Sequence, residues 1–90
     1  MNKETIKRMV TSLDDDLSTL SMANPSTYAN IYAEKYNIIL KEMKLLYKDD
    51  PFVHGLKELF LVTDDNTLEL NRLFRNVNVS VKQLKAFLDE

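Results

Sequence analysis

The sequence predicts an all-α protein, a small bundle of four to five helices that forms a single domain over residues 1–90. Ninety residues is the length of one domain. The chain has one glycine and no Asn-Gly or Asp-Gly pair, although the hairpin turns of a β-rich chain favour these residues. Apolar residues instead recur at intervals of three and four along most of the sequence, the spacing of an amphipathic helix.

The first predicted helix extends from about Lys3 to Ser21, with Asn2 as its N-cap. Its apolar seam is too short to define a coiled coil, so we expect it to pack inside a monomer. The run Asp14–Asp16 is expected on a solvated face, because consecutive helical residues point about 100° apart and cannot converge on a metal ion. The seam residues, spaced 4, 3, 4 and 3, are Ile6, Val10, Leu13, Leu17 and Leu20.

A break at Met22–Ser26 separates this helix from a second one, predicted from Pro25 to Tyr47. Two apolar rows give it a wide face, which indicates more than one packing neighbour. One row is Ala29, Ala33, Tyr36, Leu40, Met43 and Tyr47, and the other is Tyr28, Tyr32, Ile39 and Leu46.

Three tyrosines of this helix, Tyr28, Tyr32 and Tyr36, recur every four residues on one side. One interpretation is a rim of the core, with the rings buried and the hydroxyls in water. The other is an interface for a protein partner or a homodimer, since tyrosine is favoured in interfaces.

A third helix is predicted from Pro51 to Val62, with Asp50 as its N-cap. Close approach of another helix would explain Gly55 inside it. A polar break at Thr63–Asn66 follows, in which Thr63, Asp64 or Asp65 would cap a fourth helix.

The remaining chain reads as two short helices, Asp65–Asn76 and Ser80–Leu88, joined by a tight turn at Asn76–Val79. Asparagine tolerates the left-handed backbone that such a turn needs, and Ser80 is a suitable N-cap. The second of these helices would direct Leu84, Phe87 and Leu88 into the core.

This pair, from Leu73 to Leu88, resembles the helix-turn-helix family of DNA-binding domains. Asn78 occupies the turn position and Val79-Ser80 follows it, while Phe74 stands where the family prefers a tiny residue. The resemblance implies a recognition helix whose outward residues contact bases and phosphates. These residues are Ser80, Val81, Lys82, Gln83, Lys85 and Ala86.

Charge agrees with a phosphate-facing segment. Between Leu70 and Leu88 there are four cations and no acid, in a chain of net charge −2. Arg72 and Arg75 therefore join Lys82 and Lys85 as candidate contacts to double-stranded DNA, in a protein of transcription regulation. The alternative is a helical-bundle module for protein–protein interaction (adaptor, antitoxin or immunity-like) that binds no nucleic acid.

Composition argues against most other functions. The chain has no cysteine, a single histidine (His54) and no glycine-rich phosphate loop. We therefore expect no enzyme, no catalytic residue, no metal, no cofactor and no small-molecule substrate. No apolar run reaches the length of a membrane span, and the N-terminal residues do not form a signal peptide. A cytoplasmic protein without a membrane partner is expected.

Overall fold

The computed structural model describes residues 1–20 and 25–90, and it confirms the all-α class with a bundle of four helices in these residues. None of these residues lies in a strand. The predicted break at Met22–Ser26 lies mostly outside the described residues. The helices are α1 (Lys3–Leu20), α2 (Pro25–Leu46), α3 (Pro51–Gly55) and α4 (Thr67–Leu88).

Short polar side chains begin three of the helices, as the N-cap preference requires. Asn2 Oδ1 accepts the backbone N–H of Thr5 at 2.8 Å. Asp50 accepts that of Phe52 at 2.9 Å, directly before the proline that opens α3. Both residues were predicted as N-caps from the sequence, and the structure confirms them.

The cap of α4 is Asn66, whose side-chain oxygen accepts the N–H of Glu69 at 3.1 Å. The predicted caps Thr63, Asp64 and Asp65 were therefore wrong. The carboxylate of Asp64 accepts the N–H of Asn66 at 3.1 Å and turns the chain into the cap one step later.

The predicted turn at Asn76–Val79 is wrong, because α4 is one helix of 22 residues that passes through it. No described residue has a positive φ, so Asn78 does not adopt the expected left-handed conformation. The reason lies in the apolar spacing. Val77 and Val81, one helical turn apart, are both fully buried and continue a single stripe across the supposed turn. That stripe is Leu73, Phe74, Val77, Val81, Leu84 and Leu88.

The third helix is also shorter than predicted, ending at Gly55 rather than Val62. Two asparagines of α2 hold the chain extended beyond it. Asn37 donates to the carbonyl of Leu59 at 2.9 Å and accepts its N–H at 2.8 Å. Asn30 does the same for Val62, at 2.8 and 2.9 Å. Two of these four bonds occupy the N–H groups of Leu59 and Val62, which a longer α3 would have needed for its own hydrogen bonds.

The spacing of this asparagine pair matches an extended chain with three residues per turn, as in polyproline II, because Leu59 and Val62 both direct their backbone groups to α2. Seven helical residues rise about 10.5 Å, and three polyproline II residues rise about 9 Å. Asn30 and Asn37 therefore meet every third residue of a chain that runs antiparallel to α2. We call residues 56–66 the return segment.

The return segment exists because α2 and α4 are parallel. Tyr36 bonds to Ser80, and further along both helices the rings of Tyr47 and Phe87 lie 5.1 Å apart. A helix of 22 residues is about 33 Å long, so the chain must travel back along α2 before α4 begins. Eleven extended residues cover about that length.

Helix α1 is antiparallel to both long helices. The N-terminal ammonium of Met1 lies 3.7 Å from the carboxylate of Glu42 near the end of α2, and Lys7 lies 3.5 Å from Asp89 just after α4. The seam of α1 faces the space between the other two helices. Ile6, Val10, Leu13 and Leu17 of that seam are buried, as predicted, and Leu20 packs at its margin.

Candidate interaction surface

The predicted DNA-contacting residues do not form one outward face. They lie on the C-terminal half of a continuous helix rather than on a separate recognition helix. Val81 is fully buried, so its predicted outward position is wrong. Ser80 is half-buried and bonds to the hydroxyl of Tyr36. Gln83 and Ala86 are exposed, as are Arg72 and Arg75.

The two lysines of the predicted recognition helix turn towards α1. Lys82 Nζ lies 3.0 Å from one carboxylate oxygen of Asp14, and Lys85 Nζ lies 3.4 Å from the other. Arg72 is also paired, with Glu69 at 3.3 Å. Three of the four cations that suggested a phosphate-facing surface therefore form ion pairs within the chain.

Asp14 is consequently not on a solvated face, and that prediction was wrong for this residue. Burial alone raises the pKa of its carboxyl, but the hydrogen bonds and charges of Lys82 and Lys85 together outweigh burial, so the pKa lies below its ordinary value. Sequence spacing could not find the pair, because the lysines lie 68 and 71 residues away along the chain.

The three tyrosines predicted as a partner interface are mostly core. Tyr36 is 1% exposed and Tyr32 is 8% exposed, whereas Tyr28 remains accessible. An interface built on all three was therefore the wrong interpretation. The core-rim interpretation fits only in part, because the rings of Tyr32 and Tyr36 are buried but the hydroxyl of Tyr36 is buried as well. Their spacing of four residues rotates about 40° per step, which carries the row from the surface into the core.

The buried hydroxyls have partners. Burial raises the pKa of Tyr36, while its hydrogen bond with Ser80 acts in the opposite direction. Burial also raises the pKa of Tyr32, helped by the charge of Asp16 and a hydrogen bond to that carboxylate. Both phenols are therefore neutral at physiological pH.

The surface that sequence analysis missed lies on the opposite side of α2. Ile31, Ile38 and Leu45 are 49%, 56% and 73% exposed. They recur every seven residues, so they drift by only about 20° per step and form one straight row. We call these three residues the outer row. It points about 180° from Ala29 and Tyr36 of the core, so α2 is apolar on two opposite faces.

Beside the outer row, α1 and α2 separate and leave an open groove of about 400 Å³. Met9, Leu13 and Ile39 provide its apolar part, and Ile38 is shared between the groove and the outer row. Arg8, Ser12, Asp16 and Lys35 provide its polar part. The groove widens the apolar strip around Ile38.

Charged side chains flank the outer row on both sides. Glu34 and Lys41 follow one flank, and Lys35 and Glu42 follow the other. Lys35 lies 4.9 Å from the centre of the Tyr32 ring. Each flank thus carries one acid and one base, separated by two helical turns.

The outer row left a readable signal in the sequence, its spacing of seven. It was overlooked because the row Ala29, Ala33, Tyr36 and Leu40 already supplied a core face. Asn30 and Asn37 are also seven residues apart. Only the fold shows that they bind the backbone of Val62 and Leu59.

Other kinds of site find no support in the part of the chain that the structure describes. Its residues contain no group of three or more side chains that could hold a metal ion. None of its helices is long and apolar enough to cross a membrane. Comparison with protein-family models, curated proteins and solved structures finds no match to the chain.

Proposed function

We propose that this protein is a helical module for protein–protein interaction, and that it binds its partner through the outer row and the adjoining groove. The observation that carries the proposal is the straight row of exposed Ile31, Ile38 and Leu45 on α2. Single exposed apolar residues are common, but contiguous apolar patches rimmed by charge mark interaction sites.

The chemistry of the surface favours an amphipathic helix as the ligand. A row with seven-residue spacing repeats one of the two apolar positions of a coiled-coil heptad. Apolar anchors of a ligand helix, at i and i+7, would occupy the space between these residues of the host. The groove beside Ile38 leaves room for such side chains.

The surface is also independent of the core. Tyr36, Leu40 and Met43 on the opposite side of α2 bury their side chains against the rest of the bundle. Replacing a residue of the outer row is therefore expected to change binding without unfolding the protein.

A photoreactive phenylalanine analogue placed at Ile38 tests the proposal, with the same analogue at exposed Asn76 of α4 as the control. We expect covalent adducts in source-cell extract that form from position 38 and not from position 76. A captured protein is then purified, and its affinity is measured for the wild-type chain and for the Ile38→Glu variant. It counts as the partner when it binds the wild-type chain at least about tenfold more tightly than it binds the variant. Equal labelling from both positions would remove the basis of the proposal.

DNA binding remains a prediction of the sequence, and the pairing of Lys82 and Lys85 with Asp14 disfavours it. A titration with a mixed-sequence duplex at low salt separates the two functions. We expect no salt-reversible NMR shifts at Ser80–Ala86. Shifts that cluster there, with Arg72 and Arg75, and that disappear at high salt would restore the DNA-binding alternative.

A further inference from the structure

We infer that the outer row binds a second copy of this chain, so that two α2 helices pack antiparallel about a two-fold axis at Ile38. This inference rests on the proposed function and names the partner of the same surface. The evidence is the arrangement of apolar and charged residues around Ile38, which is self-complementary.

The apolar residues satisfy the symmetry first. In an antiparallel pair centred on Ile38, this residue meets its own copy. Ile31 and Leu45 each lie seven residues away, on opposite sides, so Ile31 of one copy meets Leu45 of the other, twice. Three apolar layers result, with the drift of about 20° per heptad that two helices need to wrap around each other.

The charged residues beside the outer row also fit the two-fold symmetry. A two-fold axis perpendicular to antiparallel helices brings the same flank of each copy together. On one flank, Lys35 therefore faces Glu42 of the second copy. On the other flank, Glu34 faces Lys41 of the second copy. Each of these four charged residues meets the opposite charge, and the symmetry repeats each pair.

The charges of α2 alone would also fit a parallel pair, with Lys35 beside Glu34 of the other copy and Lys41 beside Glu42. The groove decides between the two directions. Arg8 and Asp16 lie one turn to either side of Ser12, and Ser12 lines the groove together with Ile38. The antiparallel axis brings Arg8 of one copy to the level of Asp16 in the other, whereas a parallel axis turns the two α1 helices apart.

The size of the contact sets the expected strength. One helix pair with three apolar layers buries less than the roughly 1,200–2,000 Å² of a standard interface. We therefore expect a reversible dimer with a dissociation constant on the order of 10 μM. Such a dimer is monomeric when dilute and dimeric at high concentration.

Sedimentation equilibrium between low and high micromolar concentration is the first test. The wild-type chain is expected to pass from monomer to dimer. Ile38→Glu places two carboxylates on the axis and is expected to weaken the dimer by about 100-fold. Asn76→Glu on exposed α4 is the matched control and is expected to dimerise like the wild type. Circular dichroism checks that each variant keeps its helices.

A charge exchange tests the direction. Lys35→Glu alone is expected to weaken the dimer by about fivefold, because two like-charged pairs form. The double variant Lys35→Glu with Glu42→Lys restores both pairs in the antiparallel arrangement. In a parallel dimer the same double variant would add repulsion, so the absence of recovery would overturn the antiparallel assignment.

Because the chain has no cysteine, engineered disulfides report the register directly. Under oxidation, Ile38→Cys is expected to link to itself, and a mixture of Ile31→Cys with Leu45→Cys is expected to link as a heterodimer. Neither of these last two variants links when alone. A Leu45→Cys homodimer would demonstrate the parallel direction instead.

The outcomes separate this inference from the proposed function. A chain that stays monomeric at several hundred micromolar overturns the homodimer. If the analogue at Ile38 then still labels a different protein, and that protein passes the Ile38→Glu binding comparison, the proposed function stands with another partner. If it labels neither another protein nor a second copy, both are wrong.

Discussion

Asp14 shows how one residue can connect distant parts of the chain. It stands on α1 in a run of three aspartates, yet it alone of the three is buried, between Lys82 and Lys85 of α4. Each carboxylate oxygen accepts a hydrogen bond from one of the two ammonium groups, so that Asp14 joins the first helix to the last.

We predict that Asp14→Asn lowers the free energy of unfolding at pH 7 by about 1–2 kcal/mol, because it removes two charge-assisted hydrogen bonds. The folded-state pKa of Asp14 is lowered, so its contribution is present above the unfolded-state value of about 4 and is lost as pH falls through the folded-state pKa. Urea unfolding at pH 7 and at pH 3 measures the loss of unfolding free energy in the variant at each pH. Exposed Asp15→Asn is the control, and a pH-independent deficit for Asp14→Asn would contradict the electrostatic explanation.

Gly55 gives a second test at the scale of one residue. Close approach of another helix would have explained this glycine, but that explanation is wrong, because a Cβ atom built there meets nothing within 4 Å. Its φ is not positive. Nothing in the fold therefore requires glycine at the end of α3.

Gly55→Ala is expected to raise the free energy of unfolding by about 0.5–1 kcal/mol, because alanine restricts the unfolded chain and favours the helix. The shift of the thermal midpoint measures the gain. A loss of stability would mean that α3 needs the freedom of glycine in a way that the backbone geometry does not indicate.

Among the elements, the return segment is held by side chains where a sheet would use a neighbouring strand. Asn30 and Asn37 supply the donor and acceptor that Val62 and Leu59 would otherwise lack. The side chain of Phe60, between these two anchored residues, is 91% exposed. Two amides therefore hold this segment with Leu59 and Val62 against the core, while the residues between them face water.

Asn37→Ala removes both bonds to Leu59 and is expected to cost about 1–3 kcal/mol, since a partly buried N–H and carbonyl lose their partners. Hydrogen exchange provides a more specific measurement. The Leu59 amide should be protected in the wild type and exchange much faster in the variant, while the amides of α4 keep their relative order. Asn76→Ala, on an exposed face, is the control, and equal Leu59 exchange in both variants would refute the anchoring role.

Two elements explain where sequence analysis succeeded and where it did not. The caps Asn2 and Asp50 and the seam of α1 depend on local spacing, and the fold confirms them. The turn at Asn76–Val79 was also a local inference, but the burial of Val77 and Val81 overrides the weak helix propensity of the asparagines. The end of α3 depends on asparagines that lie 22 and 32 residues before the backbone groups they bind, a separation that no local pattern contains.

In the whole molecule, α4 completes the core. It packs against both α1 and α2, while those two helices separate at the groove. The outer row could be read from its spacing, but its exposure could not be known until the partner of each α2 face was known. This is why the candidate interaction surface emerged only from the fold.

A chain that ends after residue 65 is therefore expected to lack cooperative thermal unfolding, because the apolar faces of α1 and α2 lose their common partner. Addition of a peptide covering residues 66–90 should restore helicity at equimolar ratio, as measured by circular dichroism. A fragment 1–65 that melts cooperatively alone would show that α1 and α2 form a core without α4. A scrambled peptide of the same composition is the control.

The parallel alignment of α2 with α4 also matters while the protein is being synthesised. Residues 47–88 follow α2 in the chain, and translation at about 5–20 residues per second needs roughly 2–8 s to add them. During that interval α2 carries two uncovered apolar faces, one awaiting α4 and one that stays open in the finished monomer. A nascent chain with both faces free is a target for chaperones, and neighbouring ribosomes on one message bring such chains within reach of each other.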